Sequence, residues 1–569
     1  MSAETIMRED RNNSHPAQAA GIVMVAFIAA NLVGLLRQVV INRAFGTSAV
    51  LDAYFAAFRV PDLLFHVIAG GALGSAFIPT FTGFLTKDDR PGAWRLASAV
   101  VNWVLLGSTL LAALAAWLAP WLTQGFLAPG FAPEQIALTA ALMRIMLAST
   151  VVFGISGLLM GVHHSQQHFL SPALAPVLYN AGIIAGAVAL APRWGVRGLA
   201  FGILLGAGLH LGVQLPVLRG YHGQYRLTLG WQNVAVRAVG RLMLPRALGL
   251  AVWQINFWVN TVIASGLPAG SLSALMIAFQ IFTFPLAAIA QAIATAMFPT
   301  FSAQAARGEI GAMRTSLAAS LRGALYLSIP ASVGLWFLGR PLIAMLFQNR
   351  TFSAQSTEMV AWALSWYALG LVPHSVVEIA TRAFYALKDT RTPVTIGVLA
   401  MLINVVLSLL LTATFRAYGL LPHGGLALAN TIATTLEMVA LLWLLRPRLG
   451  GLAAGSILKS VARTAAGTAT MTLVLRGWIA LAPGSVVTLS LVGVTLGGAI
   501  FWGTTAVLGS EQAFRLPALI RRQQRKRWMT WNDSSCISIG WRRQTWQRGI
   551  SGTTLFRNCT CFCMSHTTR

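Results

Sequence analysis

Acidic side chains are scarce in this 569-residue chain: 15 Asp and Glu stand against 41 Lys and Arg, and charged residues make up only 10% of the whole. A soluble domain carries about 25% charged residues. With 56% hydrophobic residues and a mean hydropathy of +0.68, the chain reads as a polytopic membrane protein. Cysteine is absent until Cys536; that residue and Cys559, Cys561 and Cys563 all lie in the C-terminal tail. The body therefore uses no disulfide and no thiolate metal site. There is no Walker loop, Gly-rich dinucleotide turn, HExxH or GxSxG, which excludes an ATP-driven pump and the commonest hydrolases. No cofactor and no metal site is expected. A transferase acting on polyprenyl phosphate needs clustered carboxylates or a His and a carboxylate around a metal, and between residues 16 and 510 only Asp88 and Asp89 adjoin. The net charge of +26 could suggest nucleic acid, but in a helical membrane protein basic residues collect in cytoplasmic loops and against anionic headgroups, so no nucleic-acid partner is expected.

What the chain has in abundance is long apolar runs. A span needs about 20 apolar residues, and about fourteen segments qualify on that rule. The N-terminus is polar to Pro16, and the run that follows reaches Ile41. It is too long for a signal-peptide core and lacks a small-residue cleavage site, so it stays as the first span. Basic residues fall unequally on alternate loops. Seventeen lie on the side that carries Lys87, Arg246, Arg307, Lys388 and Arg448, and seven on the side that carries Arg43, Arg193, Arg350 and Arg416. The richer side reads as cytoplasmic, with both termini there.

An internal repeat recurs at offsets of 220 to 227 residues. AFIPTF from Ala76 matches AMFPTF from Ala296, HFLSPALAPV from His168 parallels DTRTPVTIGV from Asp389, and the Gly198 and Gly425 triplets both read Gly-Leu-Ala. Six spans separate the copies, so the halves are parallel, related by an axis along the membrane normal. The expected fold is all-α. It comprises a cytoplasmic N-terminus over 1–16, a six-helix bundle over 17–219, a cytoplasmic linker over 220–239, a second six-helix bundle over 240–446, two added helices over 457–508, and a basic tail over 511–569. Within that tail, Arg521 to Arg527 forms a polybasic segment of the kind that binds anionic lipid. Beyond Trp528 the sequence has no period and is assigned no function.

Residues 31 to 81 carry too much charge for lipid-facing helices: Arg37, Arg43, Asp52, Arg59, Asp62 and His66 interrupt two apolar runs hinged at Gly46. An ionised group at mid-bilayer costs roughly 3 kcal/mol, so such groups face a bundle interior, an aqueous cavity or the interface. Pro61, Gly70, Gly71, Gly74 and Pro79 soften the second run, which is tolerated where protein or cavity water satisfies the backbone. The pair reads as the wall of a polar chamber. Arg37 and Asp52 flank the Gly46 turn; they form either a charge-assisted latch that closes the chamber or a solvated interfacial pair. Arg59 lies about 10 Å deeper than Asp52, and either meets an anion in the chamber or pairs with Asp52 or Asp62. For Arg144, Arg322, Glu378, Arg382 and Glu437 an interior ion pair or carbonyl contact is the default, with Glu378 and Glu437 also candidates for a coupling proton or cation. His163, His164 and His168 look like a metal cluster, but no acid accompanies them and a solvated loop is expected.

The stretch GLLRQVVINRAFGTSAVLDAYFAAFRVPDLL followed by GGALGSAFIPTF resembles the first two helices of the MurJ/MviN lipid II flippases of the MOP exporter superfamily, and the resemblance extends to about residue 508. It implies a flippase of the bacterial cytoplasmic membrane. Such a protein moves a polyprenyl-pyrophosphate-linked peptidoglycan precursor, lipid II, to the outer leaflet by alternating access, and it is a transporter, not an enzyme. The partners implied are lipid II, anionic membrane lipids and a coupling cation or anion. Arg37 and Arg59 then become cavity cations, with Arg37 and Asp52 as a gate. Cavity arginines implied by the resemblance are replaced here by Asn31, Phe65 and Gln280, which leaves another exporter of the superfamily, for a lipid-linked oligosaccharide or a small cation, as the alternative.

Overall fold

A computed structural model describes residues 26, 29–68, 72–221, 223–481 and 484–514. Among them every regular element is helical. The first half contains α1 (29–45), α2 (Ala49–Ile68), α3 (Ala72–Leu85), α4 (Arg90–Trp117), α5 (Pro133–Ser165), α6 (Leu170–Ala185) and α7 (Val196–Gly212). The second contains α8 (Val234–Ser265), α9 (Ser271–Leu286), α10 (Ala292–Ala306), α11 (Ile310–Phe347), α12 (Ala354–Leu369), α13 (Leu371–Ala386), α14 (Arg391–Ala417) and α15 (His423–Arg448). Two more, α16 (Ala454–Leu481) and α17 (Val486–Val507), pair with each other and lean on α11.

Within the described residues the expected apolar segments coincide with helix. By length and hydropathy nine described helices qualify as membrane spans, or ten if α12 and α13, bent by 46° at their junction, count as one. Pro285 precedes a wide turn at Ala287–Gln291, so α9 and α10 also form one bent helix. The softening expected at Gly70 and Gly71, the N-terminus over 1–16 and the tail beyond 514 lie outside the described residues, while Gly74 lies within α3.

The repeat is visible in the backbone. Asp88, Gln167, Gly308 and Lys388 take left-handed φ values of 57°, 58°, 72° and 60°, each just past a helix end. After each of them the next amide closes the turn: Asp89 N donates to Phe84 O, His168 N to His163 O, Glu309 N to Gln304 O and Asp389 N to Phe384 O, at 2.9–3.0 Å. This closing bond satisfies carbonyls that a helix end leaves free. One turn chemistry thus ends the second and fourth spans of both halves.

The apolar cores divide by end. Toward the Gly46 turn a single cluster takes residues from both halves, among them Leu51 and Tyr54 on α2, Leu272 and Phe282 on α9, and Phe347 and Leu364 beyond. Toward Lys87 there are two clusters. One holds Phe77, Phe81 and Leu158 of the first half with Val236 and Val239 of α8; the other holds Phe301, Leu317, Phe384 and Leu445, all of the second half. Apolar burial, the main cohesive term at about 25 cal/mol per Å², joins the halves through several helices at one end and, among the described residues, through the start of α8 at the other.

Candidate functional site between the two halves

At the Gly46 end the halves meet through backbone. Asp52, buried in α2, accepts from Gly270 N at 2.6 Å, from Ser273 N at 2.7 Å and from Ser273 Oγ at 2.5 Å. Gly270 is the residue before α9, so a carboxylate of one half caps a helix of the other, where free N–H groups and the helix dipole favour negative charge. Only glycine fits there without strain: its φ is +87°, and a Cβ would meet Thr47 O at 2.8 Å. Around this contact Thr47 Oγ1 donates to Ser356 Oγ at 2.8 Å, Gly130 N to Ser265 Oγ at 3.0 Å, Arg43 Nε to Leu346 O at 2.8 Å and Asn349 Nδ2 to Arg43 O at 2.9 Å.

The latch expected between Arg37 and Asp52 is not formed. Arg37 turns into the first half, where Nη1 donates to Asn180 Oδ1 at 3.0 Å and Nε, buried, has no partner. The physical reason is that Asp52 finds three donors at the start of α9, and these saturate it. Asp52 instead bridges the two halves at the Gly46 end, with a partner that spacing along α1 and α2 did not reveal.

Arg59 crosses the interface. Its Nε donates to Thr261 Oγ1 at 3.0 Å, Nη2 touches Met276 Sδ at 2.7 Å, and the guanidinium lies 5.3 Å from the Phe257 ring centre. These partners belong to α8 and α9. No carboxylate lies within ion-pair distance of Arg59 among the described residues, so the expected pairing with Asp52 or Asp62 does not occur. Asp62 instead accepts from Gln254 Nε2 at 2.9 Å and faces His66 Nδ1 at 3.4 Å, which also meets Gln254 at 3.0 Å. Phe65, half-buried, lies edge-on to Phe153 of the first half at 5.2 Å. Asn31 is on an exposed face of α1. Gln280, half-buried, lies one turn beyond Met276 on the same face of α9.

Glu378 and Glu437 line a separate cavity of about 420 Å³ within the second half, with His374, Arg382, Asn404, Asn430 and Thr434. Glu378 pairs with Arg382 at 3.5 Å. Glu437 has no hydrogen-bond or ion-pair partner among the described residues. His374 Nε2 sits 3.1 Å from Asn430 Oδ1 and 3.2 Å from Thr434 Oγ1. Arg144 and Arg322 take the default roles: Arg144 Nε donates to Ala116 O at 3.0 Å, and Arg322 pairs with Glu511 at 3.1 Å. The solvated-loop expectation fails for His163, which is fully buried. It is 3.0 Å from Tyr221 Oη and 3.2 Å from Gln214 O, because α5 continues to Ser165 and turns this residue inward.

Sequence reasoning missed Gln254, Phe257, Thr261 and Ser273. The signal was present as polar residues interrupting the apolar run WQINFWVNT from Trp253, but nothing in the run says which face they occupy.

Comparison with known proteins bears on this arrangement. The family profile of lipid II flippase MurJ matches residues 41–496. The lipid II flippase MurJ of Burkholderia cenocepacia is 31% identical over 425 residues, covering 73% of this chain and 81% of its own length. The probable lipid II flippase MurJ of Bdellovibrio bacteriovorus is 29% identical over 525 residues, 90% and 98% of the two chains. Among solved structures, a lipid II flippase MurJ in an inward closed conformation superposes with a TM-score of 0.72 at 24% identity, covering 85% of this chain and 98% of that one. An inward-facing multidrug MATE transporter of the MOP superfamily follows at 0.60 and 17%, covering 75% and 96%. At these identities the superpositions speak for the fold, while the profile and the sequence relatives speak for descent: this chain, a multi-pass protein of the bacterial inner membrane and a transporter rather than an enzyme, belongs to the lipid II flippase MurJ family.

Proposed function

We propose that this protein carries lipid II from the cytoplasmic to the outer leaflet by alternating access, with the two bundles, 17–219 and 240–446, as the moving bodies. The observation that supports the reading most is Arg59, a cation at membrane depth that spans both halves and, among the described residues, lacks a carboxylate partner. A buried pyrophosphate needs a paired cation, because an unpaired buried ion costs several kcal/mol even after relaxation. Arg59 meets this need by exchanging its contacts with Thr261 and Met276 for phosphate oxygens. Gln280, one turn away, offers amide donors to the sugar headgroup, and Asn31 offers the same from α1. The Lys87 end, where the halves keep separate cores, is the entry side. It faces the cytoplasm on the distribution of basic loops, and both termini lie there. Asp52 on the start of α9 closes the outer gate, with Arg37 holding α1 against α6 through Asn180.

The cavity around Glu378 and Glu437 is read as the coupling site. It takes a proton or small cation, since a carboxylate without a partner in a membrane bundle needs a counter-charge. Anionic lipids bind the polybasic segment Arg521 to Arg527. The test is growth of a bacterium depleted of its own lipid II flippase and supplied with this chain, coupled to lipid II transfer in vesicles. Rescue by the wild type and failure of Arg59→Ala are expected; rescue by both would overturn the role of Arg59, and rescue by neither the substrate. Reporter fusions after Arg95 and Gly266 check orientation, the first expected inside and the second outside.

A further inference from the structure

The segment joining the two halves was expected to be a plain cytoplasmic linker. It is an extended strap bound along α4. Arg226 N donates to Ser98 Oγ at 3.1 Å. Asn102 Nδ2 donates to the carbonyl oxygens of Thr228 at 2.8 Å and Arg226 at 3.3 Å. Trp103 Nε1 donates to Leu229 O at 2.8 Å, and Tyr225 Oη donates to Asn102 Oδ1 at 2.5 Å. Extended backbone in an apolar setting needs such partners. Along α4, Asn102 is about 18 Å from Arg90, with about 22 Å of helix still to come.

In an extended segment alternate side chains share a face, as for Tyr225, Leu227 and Leu229 here; Trp231 follows in the turn after Gly230, and Leu227 is 90% and Trp231 71% exposed. Two apolar grooves border the strap. One of about 440 Å³ runs between Leu105, Leu106 and Leu227. The other, of about 420 Å³, lies between α4 and the start of α8, walled by Val104, Gly107, Val236 and Gly240. Its rim carries Trp103 and Trp231, 5.3 Å apart, and Arg237. Both volumes fall within the range of about 300–1,000 Å³ of small-molecule sites. Arg237 has no acidic partner among the described residues, and the whole linker 220–239 contains no Asp or Glu.

We propose that the groove between α4 and α8 is a binding site for one anionic glycerophospholipid, its acyl chain along Val104 and Gly107 and its phosphate on Arg237. Apolar walls, two tryptophans of the amphipathic kind that favours a lipid–water boundary and a cation without an acidic partner among the described residues match that ligand from tail to head. One wall belongs to the first half and one to the second, so the lipid fills the joint along which the halves shift. That consequence rests on the alternating-access reading; binding itself does not, and is tested without transport.

The full-length protein is purified, stripped of lipid, titrated with dioleoyl phosphatidylglycerol or dioleoyl phosphatidylcholine, and read by native mass spectrometry. One phosphatidylglycerol is expected to bind at least tenfold more tightly than phosphatidylcholine. Arg237→Gln is expected to abolish that preference, and Gly240→Phe to remove retention of both, in a position where an added Cβ meets nothing within 4 Å. Equal binding of the two lipids by the wild type, unchanged binding by Gly240→Phe, or tighter binding of undecaprenyl phosphate than of phosphatidylglycerol would each overturn the proposal. Should a variant not fold, a diazirine-bearing phosphatidylglycerol on the wild type decides: adducts within 100–111 or 227–240 support the site, and adducts confined elsewhere refute it.

Discussion

The two ends of the interface between the halves are built on different principles. Toward Gly46, a shared apolar core is stitched by hydrogen bonds in which at least one partner is backbone or a small hydroxyl, as at Asp52, Thr47 and Gly130. Toward Lys87 each half has its own core, and α8 alone reaches over, packing on α3. Among the described residues no hydrogen bond or ion pair joins α3 or α5 to α10, α11 or α13. The Gly46 end therefore holds the halves in two ways: by apolar contact, which is exposed to water at a cost proportional to its extent, and by directional hydrogen bonds that water can replace.

Breaking the comparison at its centre has the largest expected effect. Arg59→Ala removes the cation that touches both halves. Losing one member of a buried charge pair costs about 2–5 kcal/mol, so lipid II binding should fall by roughly 30-fold or more, measured with vesicles or by native mass spectrometry. Arg59→Lys should recover only part, since it lacks the planar fork and the stacking on Phe257. Unchanged binding in Arg59→Ala would locate the headgroup elsewhere.

Next comes the seal itself. Asp52→Ala leaves the Gly270 and Ser273 amides unpaired, about 1–3 kcal/mol for each buried group, and should shift the population toward a state open at the Gly46 end. Spin labels at Ser48 and Gln355 would show the longer distance, and an unchanged distribution would mean the seal does not depend on this carboxylate. Gly270→Ala acts on the same contact from the other side. An alanine forced into left-handed φ costs about 1–2 kcal/mol, so the same labels should show a smaller shift in the same direction.

The smallest effect is expected at the Lys87 end, at the turn before α14. The Asp389 carboxyl is held down to about 2, first by hydrogen bonds from Thr392 and then by Arg448. A depressed carboxyl contributes stability above its unfolded value of about 4, and that contribution disappears as pH falls through about 2. Between pH 5 and 8 the contribution is constant. Because the pair is solvent-screened, Asp389→Asn should cost less than about 1 kcal/mol at pH 7, read as a small drop in the thermal midpoint. A large drop would mark this turn as part of the second half's core.

The helical segments were legible because a span requires a long apolar run, and the repeat because its turns depend on local chemistry: the prolines at 79 and 299 and the left-handed residues at 88 and 308. Partners of charged groups were not legible. Asp52 meets Gly270 at 218 residues' separation and Arg37 meets Asn180 at 143. In a soluble helix the apolar stripe tells which face is inside, whereas in a bilayer both the lipid face and the core face are apolar. The inward turn of His163 escaped notice for that reason. The linker misled because its polar residues suggested water, while Ser98 and Asn102, which hold it, sit in what reads as an ordinary span.

Asp52 is only 3% exposed and is met by amides and a hydroxyl, with no cation opposite. Mobile ions act by screening exposed charges over about 8 Å at physiological strength, and reach buried groups far less. An arginine–carboxylate clasp at the outer rim would loosen in brine and tighten in fresh water. A carboxylate seated on the start of a helix holds alike in both, so the contact between the halves at Asp52 keeps its strength whatever the salinity around the protein.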